Sequence, residues 1–235
     1  MKIPIYQIDA FADKPFEGNS AAVCPLDTWL PDETLQAIAK ENNLAETAFF
    51  VKEEGIYGLR WFTPKKEVDL CGHATLAAAH ALLEGEYRDR TEIVFESKSG
   101  ILRVLREEDD LALDFPVQRG IRCEAPKTLI NGLGFEPSEC YWASDYLAVF
   151  DASSDVAARS PDFRALAELD LRGVIVTAPG EYEDFVSRFF APKFGIDEDP
   201  ITGSAHCTLA PDWADKLGKD IFAATYVSKR TGLLI

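Results

Sequence analysis

Residues 71–83, CGHATLAAAHALL, decide the fold that we predict for this chain. Most of these residues are small, which favours a helix that is packed on all sides rather than one on the surface. The first N–H groups of such a helix lack partners within it and carry partial positive charge, so they attract anions. Gly72 and His73 stand at this start. The larger residues recur at helical spacing: Thr75, Leu76, Ala79, Leu82 and Leu83.

The same pattern occurs a second time in the chain. Residues 60–65, RWFTPK, match residues 188–193, RFFAPK, at an offset of 128. Gly72-His73-Ala74 match Gly203-Ser204-Ala205 at an offset of 131, and so do Ser97-Lys98 and Ser228-Lys229. The second copy has therefore gained residues, which we place within Gly195 to Thr202. Two long homologous units predict two lobes, at 1–117 and 118–235, rather than a solenoid.

The second copy differs from the first in two places. Pro211 lies inside the second helix, where proline removes a hydrogen bond and clashes, so we expect a kink or a break into two pieces. The predicted strand Leu111 to Phe115 of the first copy has no counterpart in the second. Two explanations stay open: a naturally shorter second lobe, or a sequence that is a shortened form of a longer protein.

Composition excludes several classes of protein. The net charge of −16 argues against nucleic acid or an anionic membrane as a partner. No stretch reaches the roughly 18 uncharged apolar residues that a membrane span needs, and the N-terminus lacks the apolar region of a signal peptide. Five cysteines form no disulfide framework, so we expect reduced thiols and a cytoplasmic protein.

Glu46 is the first candidate for catalysis. It lies in an apolar run from Leu44 to Val51. A carboxylate is costly to bury, and desolvation would raise its pKa towards the range that is useful for proton transfer. The alternative is an exposed loop residue that caps something nearby, since acids in mostly apolar runs also occur on half-exposed strands.

The two helix starts supply the other candidates. A helix N-terminus favours a neutral imidazole at His73, although a structural histidine is an equal alternative. Asp199 or Thr202 could simply cap the second helix. If pseudo-twofold symmetry relates the lobes, both starts face one cleft. His73, Asp199 and Ser204 would then line it, which suits a small carboxylate.

Two other kinds of site are disfavoured. Cys71, His73, His206 and Cys207 lack the usual spacings of a structural zinc site, so we predict no metal. Ser204, His73 and Asp199 are the residue types of a catalytic triad. The segment around Ser204 nevertheless lacks the glycines of a nucleophile elbow.

Four segments give the chain a resemblance to a known family. They are Asp9-Ala10-Phe11 to Gly18-Asn19, Asn43 to Phe49, Asp69 to Thr75, and Asp199 to Ala205. Together they resemble the PhzF-like (phenazine biosynthesis-like) proteins, which share the diaminopimelate epimerase fold. The resemblance implies an α+β protein with two pseudo-symmetric lobes. Each lobe would be a β-barrel-like sheet wrapped round a central helix, with the active site between the lobes.

The resemblance also implies an activity and a set of site residues. Glu46 would be the general acid/base, with His73 and Asp199 as its catalytic companions. Gly72, Gly203 and Ser204 would bind the substrate. The family's best-known reaction moves a proton within a dihydro-hydroxyanthranilate, without metal or cofactor, and homodimers are usual. We therefore expect a small carboxylate substrate, no cofactor and a homodimer.

One feature separates this chain from the racemases and epimerases of the same fold. Those enzymes use two cysteines, one at each helix start, as bases on opposite faces of the substrate. The equivalent positions here hold Cys71 and Thr202, so one carboxyl that removes and returns a proton fits better. Two alternatives stay open: a catalytically silent small-metabolite binding protein, and an amino-acid epimerase with a second base opposite Glu46. Ser20, where the family often has proline, is a minor departure.

Overall fold

The chain forms two compact units. The computed structural model describes residues 2–12, 14, 16–53, 55–85, 87–108, 110–158 and 160–234. The first unit comprises Met1–Ala10 and Asn19–Phe115, and the second comprises Phe11–Gly18 and Pro116–Ile235. Each unit holds one eight-stranded sheet with helices packed on it, which confirms the α+β fold with two lobes. The domain ranges 1–117 and 118–235 stay a prediction, and the short segment Phe11–Gly18 packs with the second unit.

The sheet of the first unit is mostly antiparallel. Its order is β1-β2-β3-β4-β6-β7-β8, with β5 paired to β4, and only β2–β3 and β4–β6 are parallel. The strands are β1 (Tyr6–Ala10), β2 (Asn19–Leu26), β3 (Glu46–Glu53), β4 (Ile56–Phe62), β5 (Glu67–Val68), β6 (Glu92–Ser97), β7 (Gly100–Glu107) and β8 (Asp110–Asp114). The helices are α1 (Asp32–Asn42) and α2 (Gly72–Glu84).

The sheet of the second unit has the order β16-β15-β13-β12-β11-β10-β9, with β14 paired to β13. Only β11–β12 and β13–β15 are parallel. The strands are β9 (Ile121–Arg122), β10 (Glu139–Trp142), β11 (Tyr146–Val149), β12 (Val174–Pro179), β13 (Phe185–Ala191), β14 (Ile196–Asp199), β15 (Ala224–Tyr226) and β16 (Gly232–Leu234). The helices are α3 (Lys127–Leu133), α4 (Ser153–Ala157), α5 (Phe163–Leu166) and α6 (His206–Leu217), with 3-10 turns at Pro192–Phe194 and Gly203–Ala205.

The internal repeat predicted from the sequence is confirmed strand by strand. Strands β1 to β7 and strands β10 to β16 pair in the same order and with the same directions. Trp61 faces Val68 across β4 and β5, and Phe189 faces Asp199 at the equivalent place. Among the described strands, β8 has no counterpart, and β9 adds to the opposite edge of the second sheet. The register shift between Phe189 and Ala191, beside the 3-10 turn, is where the second copy is longer.

Helix α2 is enclosed as its small residues predict. Nine of its 13 residues are buried, and they pack on the first sheet with Val23, Ala48 and Trp61. Helix α6 packs differently, since only four of its 12 residues are buried. Leu209 and Trp213 reach the second sheet, while most of the other residues of α6 are partly or fully exposed.

Helix α6 runs through Pro211 as one helix, so the predicted alternative of a break into two pieces is wrong. Proline cannot donate the hydrogen bond that the carbonyl of Cys207 would accept within the helix. The backbone N–H of Gln118 donates to that carbonyl instead, at 2.8 Å. A segment remote in sequence therefore satisfies the group that Pro211 leaves open.

Two expectations about the whole chain concern membranes and thiols. No helix among the described residues is long and apolar enough to cross a membrane. All five cysteines are free thiols. Cys123 and Cys140 lie opposite each other, with their sulfur atoms 3.6 Å apart.

Candidate active site

Glu46 lies buried at the start of β3. It pairs with Ala21 of the parallel neighbour β2, and it is 9% exposed. The five residues that follow it are also buried, which holds the strand in the sheet and fixes the direction of the carboxylate. The structure therefore favours the buried interpretation of Glu46 over the half-exposed one. Its Oε2 atom lies 3.3 Å from Nε2 of His73, so the structure brings these two predicted site residues together.

His73 is the second residue of α2 and is buried. Its Nδ1 atom lies 3.3 Å from Nδ2 of Asn19 and 3.6 Å from Sγ of Cys71. Both neighbours can donate a hydrogen bond, so we assign Nδ1 as the acceptor and place the ring hydrogen on Nε2, which faces Glu46. Nε2 lies 3.3 Å from Glu46 but makes no hydrogen bond to it.

Burial favours the neutral form of the His73 imidazole. Burial lowers the pKa of His73 to about 3, because the charged form loses its hydration. The predicted neutral state is thus supported, although the main cause is burial rather than the helix N-terminus that the sequence indicated. Glu46 and His73 consequently form a pair of a carboxyl and a neutral ring, in which His73 supplies no full positive charge.

The start of α2 is shaped by Cys71 and Thr75. Cys71 has an extended backbone with φ −149° and ψ 110°, and the helix begins directly after it at Gly72. The N–H and the hydroxyl of Thr75 both donate to the carbonyl of Cys71, at 3.2 and 2.5 Å. This turn holds the thiol of Cys71 beside the ring of His73. Gly72, which the resemblance predicts to bind the substrate, is the first residue of the helix.

Asp199 ends β14 and is 9% exposed. The hydroxyl of Thr202 donates to Oδ2 of Asp199 at 2.5 Å, and the hydroxyl of buried Tyr226 donates to the carbonyl of Thr202 at 2.9 Å. Thr202 precedes the 3-10 turn, yet its side chain makes no capping hydrogen bond to that turn. Simple helix capping by Thr202 is therefore not what the structure has. Gly203 and Ser204 follow in the turn.

Sequence reasoning missed an ion pair in the second unit. Nε and Nη2 of Arg172 donate to Oδ1 and Oδ2 of buried Asp145, at 2.9 and 2.5 Å. The same Nη2 atom donates to Oγ of Ser204 at 3.2 Å. Asp145 and Arg172 are 27 residues apart in sequence, and the parallel pairing of β11 with β12 brings them together. No spacing rule predicts such a pair.

The structure also bears on the two kinds of site that the sequence disfavours, a zinc site and a catalytic triad. Ligand atoms of Glu46, Cys71 and His73 lie within 4.8 Å of one another, whereas His206 and Cys207 form no such group among the described residues. The two ring nitrogens of His73 face different partners, Cys71 on one side and Glu46 on the other. The hydroxyl of Ser204 accepts from Arg172, and it contacts no histidine in the described part of the chain.

The predicted site residues fall into two groups. Glu46, Gly72 and His73 belong to the first unit, and Asp199, Gly203 and Ser204 belong to the second. Within the first group, the carboxyl of Glu46 and the ring of His73 are in contact. Within the second, Asp199 contacts Thr202, and Ser204 contacts Arg172. The cleft shared by both groups stays a prediction.

Comparison with known proteins gives a consistent result. The family model described as phenazine biosynthesis-like protein, PhzC-PhzF, matches residues 8–234. An uncharacterized isomerase of Pseudomonas aeruginosa is 53% identical over 235 residues, which are 100% of this chain and 90% of the relative. An uncharacterized isomerase of Halalkalibacterium halodurans is 46% identical over 242 residues, covering 100% of this chain and 90% of the relative. A crystal structure of a PhzF-family phenazine biosynthesis protein from Enterococcus faecalis has a TM-score of 0.95 and 47% identity, and the match covers 100% of this chain and 90% of that one.

Proposed function

We propose that this chain, which belongs to the PhzC-PhzF family of phenazine biosynthesis-like proteins and is an isomerase, moves a proton within a small unsaturated carboxylate. Glu46 would be the single acid/base. The observation that carries the proposal is the contact of buried Glu46 with a neutral His73, at 3.3 Å. A carboxyl in such a place can accept a proton from carbon and give it back, because no fixed cation on His73 holds it in one state.

The proposed reaction has two steps. In the first, the carboxylate of Glu46 takes a proton from a carbon next to an unsaturated system. The C–H bond breaks, an O–H bond forms on Glu46, and the electron pair of the C–H bond enters the unsaturated system. In the second, Glu46 returns the proton to another carbon of that system, and the double bond moves. The substrate and product are isomers, and Glu46 ends as it began.

His73 would stabilise the charge that develops between these steps. Nδ1 is flanked by two possible donors, Asn19 and Cys71, which leaves the ring hydrogen on Nε2. A neutral imidazole donates this hydrogen to a developing anion without first having to lose a proton. The ring also limits the positions that the carboxyl of Glu46 can take.

Asp199, Gly72, Gly203 and Ser204 would contact the substrate away from the migrating proton. Gly72 and Gly203 open the two helical segments, whose N–H groups favour a carboxylate. Asp199 is held by Thr202, and Ser204 by Arg172. The proposal requires residues of both units to act on one substrate molecule.

A racemase with two bases is less well supported. The strand registers place Gly173 of the second unit at the position of Glu46 in the first. A Cβ atom at Gly173 would lie 2.6 Å from Cζ of Phe189 and 2.7 Å from the carbonyl oxygen of Phe190. No carboxylate fits there. At the other equivalent position Thr202 replaces Cys71, and its hydroxyl is bound to Asp199.

Proton transfer can be tested in D2O. The wild type, Glu46→Gln and Glu53→Gln are each incubated with a pool of small cyclic and unsaturated carboxylates, and products are separated by chromatography before mass spectrometry. Glu53 is the matched control, because it lies on the same strand but is exposed and bound to Trp29. We expect an isomer, either unchanged in mass or one dalton heavier, from the wild type and from Glu53→Gln. Glu46→Gln should lose about 10²- to 10⁴-fold in rate.

Other outcomes distinguish the alternatives. If no isomer forms and Glu46→Gln binds a carboxylate as well as the wild type, the chain is a binding protein and the proposal fails. If a chiral substrate loses optical activity, the chain is an epimerase and needs a second base. The homodimer, the cytoplasmic location and the lack of a metal or cofactor stay predictions.

A further inference from the structure

The ion pair of Asp145 and Arg172 joins the interior of the second unit to its surface. The side chain of Asp145 is 4% exposed, whereas that of Arg172 is 33% exposed. Two parallel hydrogen bonds fix the guanidinium to the carboxylate, which gives the arginine one orientation. The guanidinium also lies over the ring of Phe189, at 5.2 Å from its centre. A carboxylate, a hydroxyl and an aromatic ring thus hold the guanidinium of an arginine that stays partly exposed.

The bond from Arg172 to Ser204 sets the direction of the serine hydroxyl. Arginine has no acceptor atom, so Oγ of Ser204 must accept the hydrogen bond from Nη2. The hydroxyl hydrogen of Ser204 therefore points elsewhere, and it meets no acceptor among the described residues. The contact with Arg172 thus turns Ser204 into a donor that is available to a bound molecule.

One nitrogen of the Arg172 guanidinium, Nη1, is also available to donate to a bound molecule. Nε and Nη2 make all the hydrogen bonds that Arg172 forms within the described ranges, and Nη1 makes none. Asp145 neutralises much of the arginine charge, and Asp199 adds negative charge nearby. The free N–H groups of Nη1 and the hydroxyl of Ser204 can each donate one hydrogen bond to a carboxylate oxygen.

The pair is not part of the scaffold that the two units share. The strand registers place Ala21 and Ala45 of the first unit at the positions of Asp145 and Arg172. The same strand pairing exists there without any charge, so the fold does not need the ion pair. This contrast indicates that Asp145 and Arg172 serve the chemistry of the second unit.

We propose that Arg172, held by Asp145, is a positioning and specificity-determining residue that selects a carboxylate substrate, by orienting the hydroxyl of Ser204 and by donating from Nη1. This inference rests on the proposed function, since it assigns the substrate's anionic group to the second unit and leaves proton transfer to Glu46. It also gives a chain with a net charge of −16 two hydrogen-bond donors, at Nη1 and at the hydroxyl of Ser204, for a small anion.

Binding of two matched probes tests the inference without turnover. The probes are cyclohexene-1-carboxylate and the neutral cyclohexene-1-carboxamide, titrated by NMR into the wild type, Arg172→Met, Arg172→Lys and Arg119→Met. Arg119 is the control for loss of one arginine, because its ion pair with Asp215 is exposed. The wild type and Arg119→Met should bind the carboxylate roughly 10- to 100-fold more tightly than the carboxamide, as for hydrogen bonds to a charged group. Arg172→Met should bind the two probes about equally.

A double-variant cycle tests the role of Arg172 as a positioning residue. Ser204→Ala should weaken carboxylate binding about 10-fold in the wild type and hardly at all in Arg172→Met, because the arginine orients the hydroxyl. Arg172→Lys keeps a positive charge for Asp145 but loses the two parallel hydrogen bonds of the guanidinium. It should therefore fold like the wild type and keep an intermediate preference for the carboxylate over the carboxamide.

The inference is overturned by any of three results. They are a carboxylate preference that survives in both Arg172 variants, an equal loss in Arg119→Met, and a wild type that prefers neither probe or binds neither. None of these depends on Glu46. The D2O experiment can therefore fail while the binding result stands, and the reverse can also occur.

Discussion

Arg60 and Glu67 in the first unit form the same two-point ion pair as Arg188 and Glu198 in the second. The distances are 2.7 and 3.0 Å in the first pair and 2.6 and 3.0 Å in the second. Each pair ties a long strand to the short strand that leads into a helix, β4 to β5 before α2 and β13 to β14 before α6. The repeated part of the molecule is therefore the frame that holds the two helix starts.

The side chains at these two starts have diverged. The first start has Cys71, His73 and, on the neighbouring strand, Glu46. The second start has Thr202 and Ser204, with Gly173 at the position of Glu46 and the added pair of Asp145 and Arg172. The difference suggests a division of labour, in which the first unit moves the proton and the second holds the anion. The strands and ion pairs are repeated in both units, whereas the side chains at the two helix starts differ.

The duplicated ion pairs differ in the exposure of the arginine, 20% in the first and 9% in the second, and in the cations that remain when it is replaced. Arg188 is buried, and the described residues offer Glu198 no second cation, whereas Glu67 also pairs with Lys98. Arg188→Met should lower the free energy of unfolding by about 3–5 kcal/mol, because it leaves a carboxylate of low exposure uncompensated. Arg60→Met should cost about 1 kcal/mol, because Lys98 remains. Urea unfolding of both variants measures the difference.

A second substitution tests whether the uncompensated charge of Glu198 causes the loss of stability in Arg188→Met. Glu198→Gln added to Arg188→Met removes the uncompensated charge and should recover part of the lost stability. Equal losses in Arg60→Met and Arg188→Met would show that neither the burial of Arg188 nor the second cation at Glu67 distinguishes the two ion pairs.

His73 and Ser204 occupy equivalent positions, and replacing them should have different effects on catalysis. His73→Ala should lower kcat about 10²- to 10³-fold with little change in KM, because under the proposed function the histidine would act on the charge that develops at the reacting carbon. Ser204→Ala should raise KM about 10-fold with little change in kcat, because under the proposed function Ser204 would hold the carboxylate in substrate and transition state alike. Steady-state kinetics on the substrate found in the D2O experiment measures both.

The division of labour would be contradicted by one pattern in particular. If Ser204→Ala lowers kcat as far as His73→Ala does and leaves KM unchanged, both helix starts act on the transition state. His73→Gln is a useful third variant, since its amide can place a donor near the position of Nε2 and should recover part of kcat.

Sequence patterns predicted the features that depend on neighbours along the chain. The helical spacing of residues 71–83 predicted α2, and the match of residues 60–65 with 188–193 predicted the repeat. The apolar run around Glu46 indicated a carboxylate that would be costly to bury, and the structure buries it on β3. These signals are local, so one sequence is enough to detect them.

Features that depend on remote contacts were not predicted. Pro211 indicated a kink or break, and the N–H of Gln118 supplies the missing bond from 89 residues away. Asp145 and Arg172 meet only through the pairing of β11 with β12. The neutral state of His73 was expected from the helix start, but its burial under the sheet is the larger cause. In each case the partner is chosen by the fold and not by spacing.

Two histidines with buried ring nitrogens, one in each unit, contribute to a loss of stability in acid. Burial lowers the pKa of His73 to about 3 and that of His206 to about 4. In the unfolded chain a histidine titrates near 6.5. Between about pH 4.5 and pH 6 the unfolded chain therefore binds protons that the folded protein does not, and stability falls as pH falls. Each such histidine adds a slope of up to about 1.4 kcal/mol per pH unit.

Single replacements measure how much each unit contributes to this dependence of the unfolding free energy on pH. His73→Gln and His206→Gln should each make the fall in unfolding free energy from pH 6 to pH 4.5 shallower, and the double variant should be shallower still. His80→Gln is the control for loss of one histidine, because His80 lies on the exposed side of α2. Urea midpoints at several pH values give the slopes, which do not depend on how far each variant is destabilised overall. If His73→Gln has the same dependence of unfolding free energy on pH as the wild type, His73 takes up its proton in the folded protein as it does in the unfolded chain. The neutral ring beside Glu46, on which the comparison of the two helix starts depends, would then be wrong.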